Sequence, residues 1–113
     1  MINEVTASRQ IERARSCYLA TLEKQRRLLA EIPPDLDPLE RLLAVDRILR
    51  DCSQALRTLA EQLPDREQTA ALGPELSAAF EEFRESIDAV HQTITTGRRP
   101  ILADIAALQP RHN

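Results

Sequence analysis

Apolar residues recur at alternating steps of three and four along two stretches of this chain, and the two stretches mirror one another. Leu63, Leu59, Leu56, Cys52, Leu49 and Val45 match Leu76, Phe80, Phe83, Ile87, Val90 and Ile94 in order, each pair of residue numbers summing to 139. Steps of three and four average to the 3.5-residue repeat of a helical seam. Reflected numbering is what an antiparallel helical hairpin requires, with heptad position a of one helix opposite d of the other.

A third apolar stripe precedes these two: Ile11, Ala14, Tyr18, Leu22, Leu29 and Ile32, widened by Leu19 and Leu28 and interrupted by Gln25. Pairing about residue 35 sets Ile11 near Leu59, Ala14 near Leu56, Tyr18 near Cys52 and Leu29 near Leu42. Prolines supply the punctuation. A first helix over about 3–32 stops at Pro33-Pro34. Asp37-Pro38-Leu39-Glu40 opens a second over 38–63, with Asp37 as N-cap, Pro38 at the first helical position and Glu40 placed to complete a capping box. Residues 64–74 hold a connection with room for one short helical turn. A third helix over 74–96 is expected to break or kink at Gly97, a natural residue to follow a helix, and at Pro100. Ile101, Leu102, Ile105 and Leu108 then form a short fourth helix over 101–109, and residues 110–113 are expected to fray. The fold read this way is all-α: a single domain over 1–113, an antiparallel up-down-up three-helix bundle with a short C-terminal fourth helix.

Composition agrees. Two glycines and three aromatics (Tyr18, Phe80, Phe83) in 113 residues leave little for turns and strands of a β fold. The net charge of −3 is too small to mark an acidic tail or a general nucleic-acid binder. Its distribution is uneven: residues 1–32 carry six basic and four acidic groups, residues 64–96 two basic and seven acidic. Solvated helix faces account for this, and an acidic face for a basic partner is the sharper alternative. Lys24 is the one lysine beside fourteen arginines, a bias expected of a GC-rich bacterial genome. The first ten residues are polar, and no apolar run approaches the roughly 20 residues a bilayer span needs. A cytoplasmic protein is expected, with no membrane association. Cys17 and Cys52 are too few and too far apart for a zinc site or a redox pair. Both lie on or beside apolar stripes at about the same height, so they are expected to act as small hydrophobes that could be neighbours.

Candidate chemistry is sparse. Arg84 and His91, seven positions apart, share a helix face. The pair resembles the late-helix arginine and histidine of helical-bundle ribonucleases of the HEPN (higher-eukaryote and prokaryote nucleotide-binding) class. That resemblance implies a histidine acid–base, an arginine on phosphate and a homodimer; Glu85, directly after Arg84, departs from its small polar choice and would repel phosphate. Asp88-x-x-His91 has the spacing of bundle metal ligands, but Asp88 falls on an outward heptad position and no inward carboxylate faces it on the second helix. Glycines at 73 and 97 alone allow neither a dinucleotide fingerprint nor a phosphate loop. No cofactor or metal is expected, nucleic acid is not the expected partner, and the chain is read as no enzyme, with the ribonuclease as runner-up.

Binding asks for less. Leu19, Leu28, Leu39 and Leu43 lie off the seams, and Ile101, Leu102, Ile105 and Leu108 add another apolar stripe. If these do not complete a four-helix core, they form a groove for a partner's amphipathic helix, with residues 101–109 covering it when empty. The run Leu22-Glu23-x-x-Arg26-Arg27-Leu28-Leu29, a proline-marked loop and a leucine-spaced second helix resemble the small flagellar type III export chaperones of the FliT type, over about residues 15–63. The tryptophan common upstream of the Leu-Glu run in that family is missing. The resemblance implies a cytoplasmic helical adaptor for an aggregation-prone filament subunit, with residues 101–109 as occluding segment. The function expected is therefore a non-enzymatic helical interaction protein, most plausibly a bacterial adaptor or secretion chaperone. A structural coiled-coil oligomer, including a possible homodimer, is the third reading.

Overall fold

The computed structural model describes residues 3–109; the fraying expected at 110–113 lies outside the described residues. The chain forms four helices and, among the described residues, no strand: α1 (Glu4–Ala30), α2 (Pro38–Glu61), α3 (Arg66–Ala70) and α4 (Pro74–Leu108). The fold is all-α, extending 58 × 29 × 17 Å.

Local chemistry sets most boundaries. Asn3 Oδ1 accepts from the Thr6 amide at 2.8 Å and starts α1. The helix ends at Ala30 rather than Ile32, because a residue before proline is held out of the helical region and Ile32 precedes Pro33. Asp37 Oδ1 accepts from the Glu40 amide at 3.0 Å and Pro38 opens α2, as the sequence suggests. The reciprocal capping box forms elsewhere, at α3, where Asp65 and Gln68 bond each other's backbone amides at 2.8 and 3.1 Å. That box turns the expected short turn into a defined helix. Gly73, at φ 104°, is the one residue among those described that needs the left-handed side of backbone space, and it hands the chain to Pro74 at the start of α4.

The largest departure is in α4. The helices expected over 74–96 and 101–109 are one helix of 35 residues, with Gly97 and Pro100 inside it. An interior proline removes one backbone hydrogen bond and crowds a carbonyl, a cost of about 3 kcal/mol. Tertiary contacts on both sides of the defect offset it. Arg98 is bound to Asp46 of α2, and Ile105, beyond the proline, is buried. Gly97, which carries no Cβ, stays helical instead of ending the helix.

α2 packs most extensively against α4, next against α1, while α1 and α4 share the smallest contact of the three. The core joins Ile11, Ala14, Tyr18 and Leu22 of α1 to both mirrored stripes; of the twelve mirrored residues only Val45, half-buried, falls outside it. Leu56, Phe80 and Ile87 are its largest fully buried side chains. Tyr18 and Phe83 meet edge to face with ring centroids 5.5 Å apart, joining α1 to α4. Ala7, fully buried at the start of α1, and Leu72, before α4, complete the core, and neither belongs to the stripes read from the sequence.

Candidate interaction site on the α2–α4 flank

Beside the mirrored seam runs a second line of residues at heptad spacing. On α2 it contains Asp46, Ser53 and Ala60; on α4 it contains Arg98, His91 and Arg84. These numbers pair to a common sum of 144, and the first pair is a bond: Arg98 Nε donates to Asp46 Oδ1 at 2.7 Å. Helical side chains lean toward their own N-terminus, so an arginine reaches back about one turn, which shifts this line relative to the seam sum. Asp46, only 8% exposed, is the buried charged residue among those described. Ser53, Ala60, His91 and Arg84 are all half-buried.

Extending the line past Arg98 brings in Leu39 on α2 and Ile105 on α4, with Leu43 and Leu102 one turn from them on their own helices. Ile105 is buried, Leu39 half-buried, and Leu43 and Leu102 are 43% and 45% exposed. This end of the flank therefore carries two exposed leucines and one buried isoleucine, next to the Asp46–Arg98 pair. At its other end α3 packs alongside α4, and Arg66 Nη2 meets Glu81 Oε1 at 3.1 Å. Glu81 is shared: its Oε2 lies 3.8 Å from Arg84 Nη1. That is too long for a hydrogen bond, and Arg84 Nη1 is buried without an acceptor.

The residues proposed from sequence for partner binding do not form one surface. Leu39, Leu43 and Leu102 share the α2–α4 flank. Ile105 lies on the same flank but is buried, on an α4 that continues through Pro100 instead of ending before it. Leu28 lies in a different crevice of about 200 Å³ between α1 and α2, with Ile48, Cys52 and Ala55. Leu19 stands alone on the outside of α1, 63% exposed. Ile101 is half-buried and Leu108 exposed, on the side of α4 that continues the main seam. Residues 101–108 continue α4 and are not a separate segment folded back on the bundle.

Arg84 and His91 lie on one side of α4, about 10 Å apart along its axis at 1.5 Å per residue, with Arg84 turned to Glu81. Asp88 is exposed, and among the described residues no group of three or more histidine, cysteine or acidic side chains is placed to hold a metal ion. The two cysteines are free and unlike each other. Cys17 is exposed on the rim of a second α1–α2 crevice, with Arg13, Leu59 and Leu63, not covered as its place beside a stripe suggested, whereas Cys52 is buried and burial pushes its thiol pKa up. No helix among the described residues is long and apolar enough to cross a membrane.

Sequence reasoning missed Asp46 and Arg98, the pair that organises the flank. Their signal was present: Arg84, His91 and Arg98 repeat every seven residues, as do Asp46, Ser53 and Ala60. Ending the third helix at Thr96 left Arg98 in a loop, where the repeat cannot be seen. Comparison of the chain with protein-family models, with curated proteins and with solved structures finds no match.

Proposed function

We propose that this chain is a non-enzymatic helical interaction protein that receives an amphipathic helix of another protein on the α2–α4 flank. The observation that carries the reading is the exposure of Leu43 on α2 and Leu102 on α4, each nearly half exposed, on two helices that pack against each other. Large aliphatic side chains left open on a helical surface are a usual anchor of helix-in-groove recognition. The arrangement we infer for the long helices is up-down-up. It is supported by the α1–α2 crevices, which join residues 10–17 to 59–64 and 21–28 to 48–55, and by Asp46–Arg98, which joins the first half of α2 to the far end of α4. A cytoplasmic adaptor or export chaperone is the form of this role that the FliT-type resemblance favours.

The test compares two affinity captures from the native lysate, one with the unaltered chain and one with Leu43→Asp/Leu102→Asp. Both positions are exposed, so the variant is expected to melt as the parent does. A stoichiometric protein held by the parent and lost by the variant is the expected result. Identical captures would overturn the reading.

A further inference from the structure

The chain exposes more surface than its mass calls for, and part of the excess is apolar and lies where α1 has run out. Its accessible area is 8140 Å² at 12.8 kDa, against about 6,300 Å² for a compact monomer of that mass. Residues 1–2 and 110–113, outside the described set and counted as extended chain, account for about 1,100 Å² of the difference. About 750 Å² is left, close to the roughly 800 Å² that each partner buries in a stable protein–protein contact. The radius of gyration agrees, at 18.2 Å against about 13 Å for a compact domain of this length.

With the long helices up-down-up, as inferred above, the contact of Tyr18 with Phe83 sets the end of α1 at Ala30 level with about residue 95 of α4. Residues 96–108, about 20 Å of helix, run on without α1 beside them. The mirrored seam fails at the same level. Its next pair beyond Val45 and Ile94 is Leu42 with Gly97, and a Cβ built on Gly97 meets nothing within 4 Å, so the seam opens there into a notch. Gly97, Ile101 and Leu108 follow one line of α4. At this end Leu29, Ile32, Leu36, Leu42 and Ile101 are only half-buried, and Leu108 is 48% exposed. We propose that a second copy of this chain closes the end: the two loose ends pack about a two-fold axis, with the Gly97 notch and Leu108 inside the contact. Charge favours a second copy over a partner of one sign. The exposed charges at this end are mixed, Arg27, Arg41 and Arg99 with Glu31, Asp35, Glu40 and Asp104. An acidic or a basic partner would meet repulsion there as often as attraction, whereas a self-complementary two-fold contact sets each sign against the other. A net charge of −3 leaves little to drive two copies apart. The contact uses neither Leu43 nor Leu102, so it is separate from the flank.

Sedimentation equilibrium of the purified full chain reads mass whatever the shape. At a concentration of about 10 μM the expected mass is about 26 kDa, twice the 12.8 kDa of one chain. Gly97→Glu puts a charge into the notch at an exposed helical position where nothing has to move. It should raise the dimer dissociation constant at least about 100-fold while far-UV circular dichroism keeps the parent's helix content. Leu108→Asp, on an exposed side chain, should act in the same direction. Leu43→Asp/Leu102→Asp should leave the mass at two chains, which separates this contact from the flank. A mass of one chain at every concentration up to about 100 μM would overturn the homodimer and leave the flank standing. A dimer that survives both Gly97→Glu and Leu108→Asp would overturn the loose end as its contact. A dimer dissolved only by Leu43→Asp/Leu102→Asp would overturn it in favour of the flank.

Discussion

The two ends of this molecule use the same three-four pattern of apolar residues and arrive at different structures. At the α3 end, Ala7, Leu56 and Phe80 are fully buried, and the helices share a continuous core through Ile94. At the other end Leu28, Leu29, Ile32, Leu36, Leu39, Leu42 and Val45 are all half-buried, and the side chains that are buried there are Asp46 and Ile105. Periodicity marks a face; it does not supply the neighbour that covers the face. α1 stops at Ala30, so beyond it the loop over 31–37, tied by a hydrogen bond from Arg41 to the Pro34 carbonyl, stands where a third helix would. One end is held by close packing, the other by an ion pair and one isoleucine, and the looser end is the one with leucines to spare for a partner.

The sharpest way to break the contrast is at the packed end. Leu56→Asp would put an unpaired carboxylate in a site with no exposure, and the expected outcome is loss of the cooperative thermal transition, a destabilisation above about 4 kcal/mol. A native melting curve would show that this end is not the packed one.

Asp46→Ala or Arg98→Ala tests the loose end. Removing one partner of a fully buried pair costs about 3–5 kcal/mol. Because these side chains remain 12% and 24% exposed, about 2–3 kcal/mol is expected in denaturant unfolding. The double variant Asp46→Leu/Arg98→Leu should recover most of the loss, since no charge is then left buried alone. If single and double variants are equally damaged, the pair is not what closes this end.

Gly97→Ala should act in the opposite direction. Gly97 is helical, and a Cβ added there meets nothing within 4 Å. Removing glycine's extra freedom in the unfolded chain is worth about 0.5–1 kcal/mol, and a melting temperature raised by about 2–8 °C is expected. A lower one would show that α4 bends or opens at Gly97.

The smallest effect distinguishes the thiols. A disulfide-exchange reagent should label Cys17 at once in the folded protein and Cys52 only as the protein opens. Burial raises the Cys52 pKa above its ordinary 9.0, so the folded protein keeps a proton that the unfolded chain releases. Its contribution is therefore intact below about pH 9 and is lost as the pH rises through the folded value, which should appear as a slight alkaline loss of stability, absent in Cys52→Ala. Equal labelling of both cysteines would place Cys52 outside the core.

The residues themselves determined that the chain is helical, where α2 starts and which side chains line the main seam. Each of these is local or periodic: Asp37-Pro38 caps its own helix, and Leu49 to Leu63 repeat within one strip of surface. Three things were decided only by tertiary structure. α4 passes through Gly97 and Pro100 because a bond to Asp46 and the burial of Ile105 outweigh a local cost, and neither is visible from the residues around the proline. Ala7 lies in the core because its neighbours in the fold cover it, and an alanine carries little periodic signal of its own. The eight candidate binding residues separate into different surfaces because amphipathic pattern specifies which side of one helix is apolar, while the partner helix specifies which of those sides remain open.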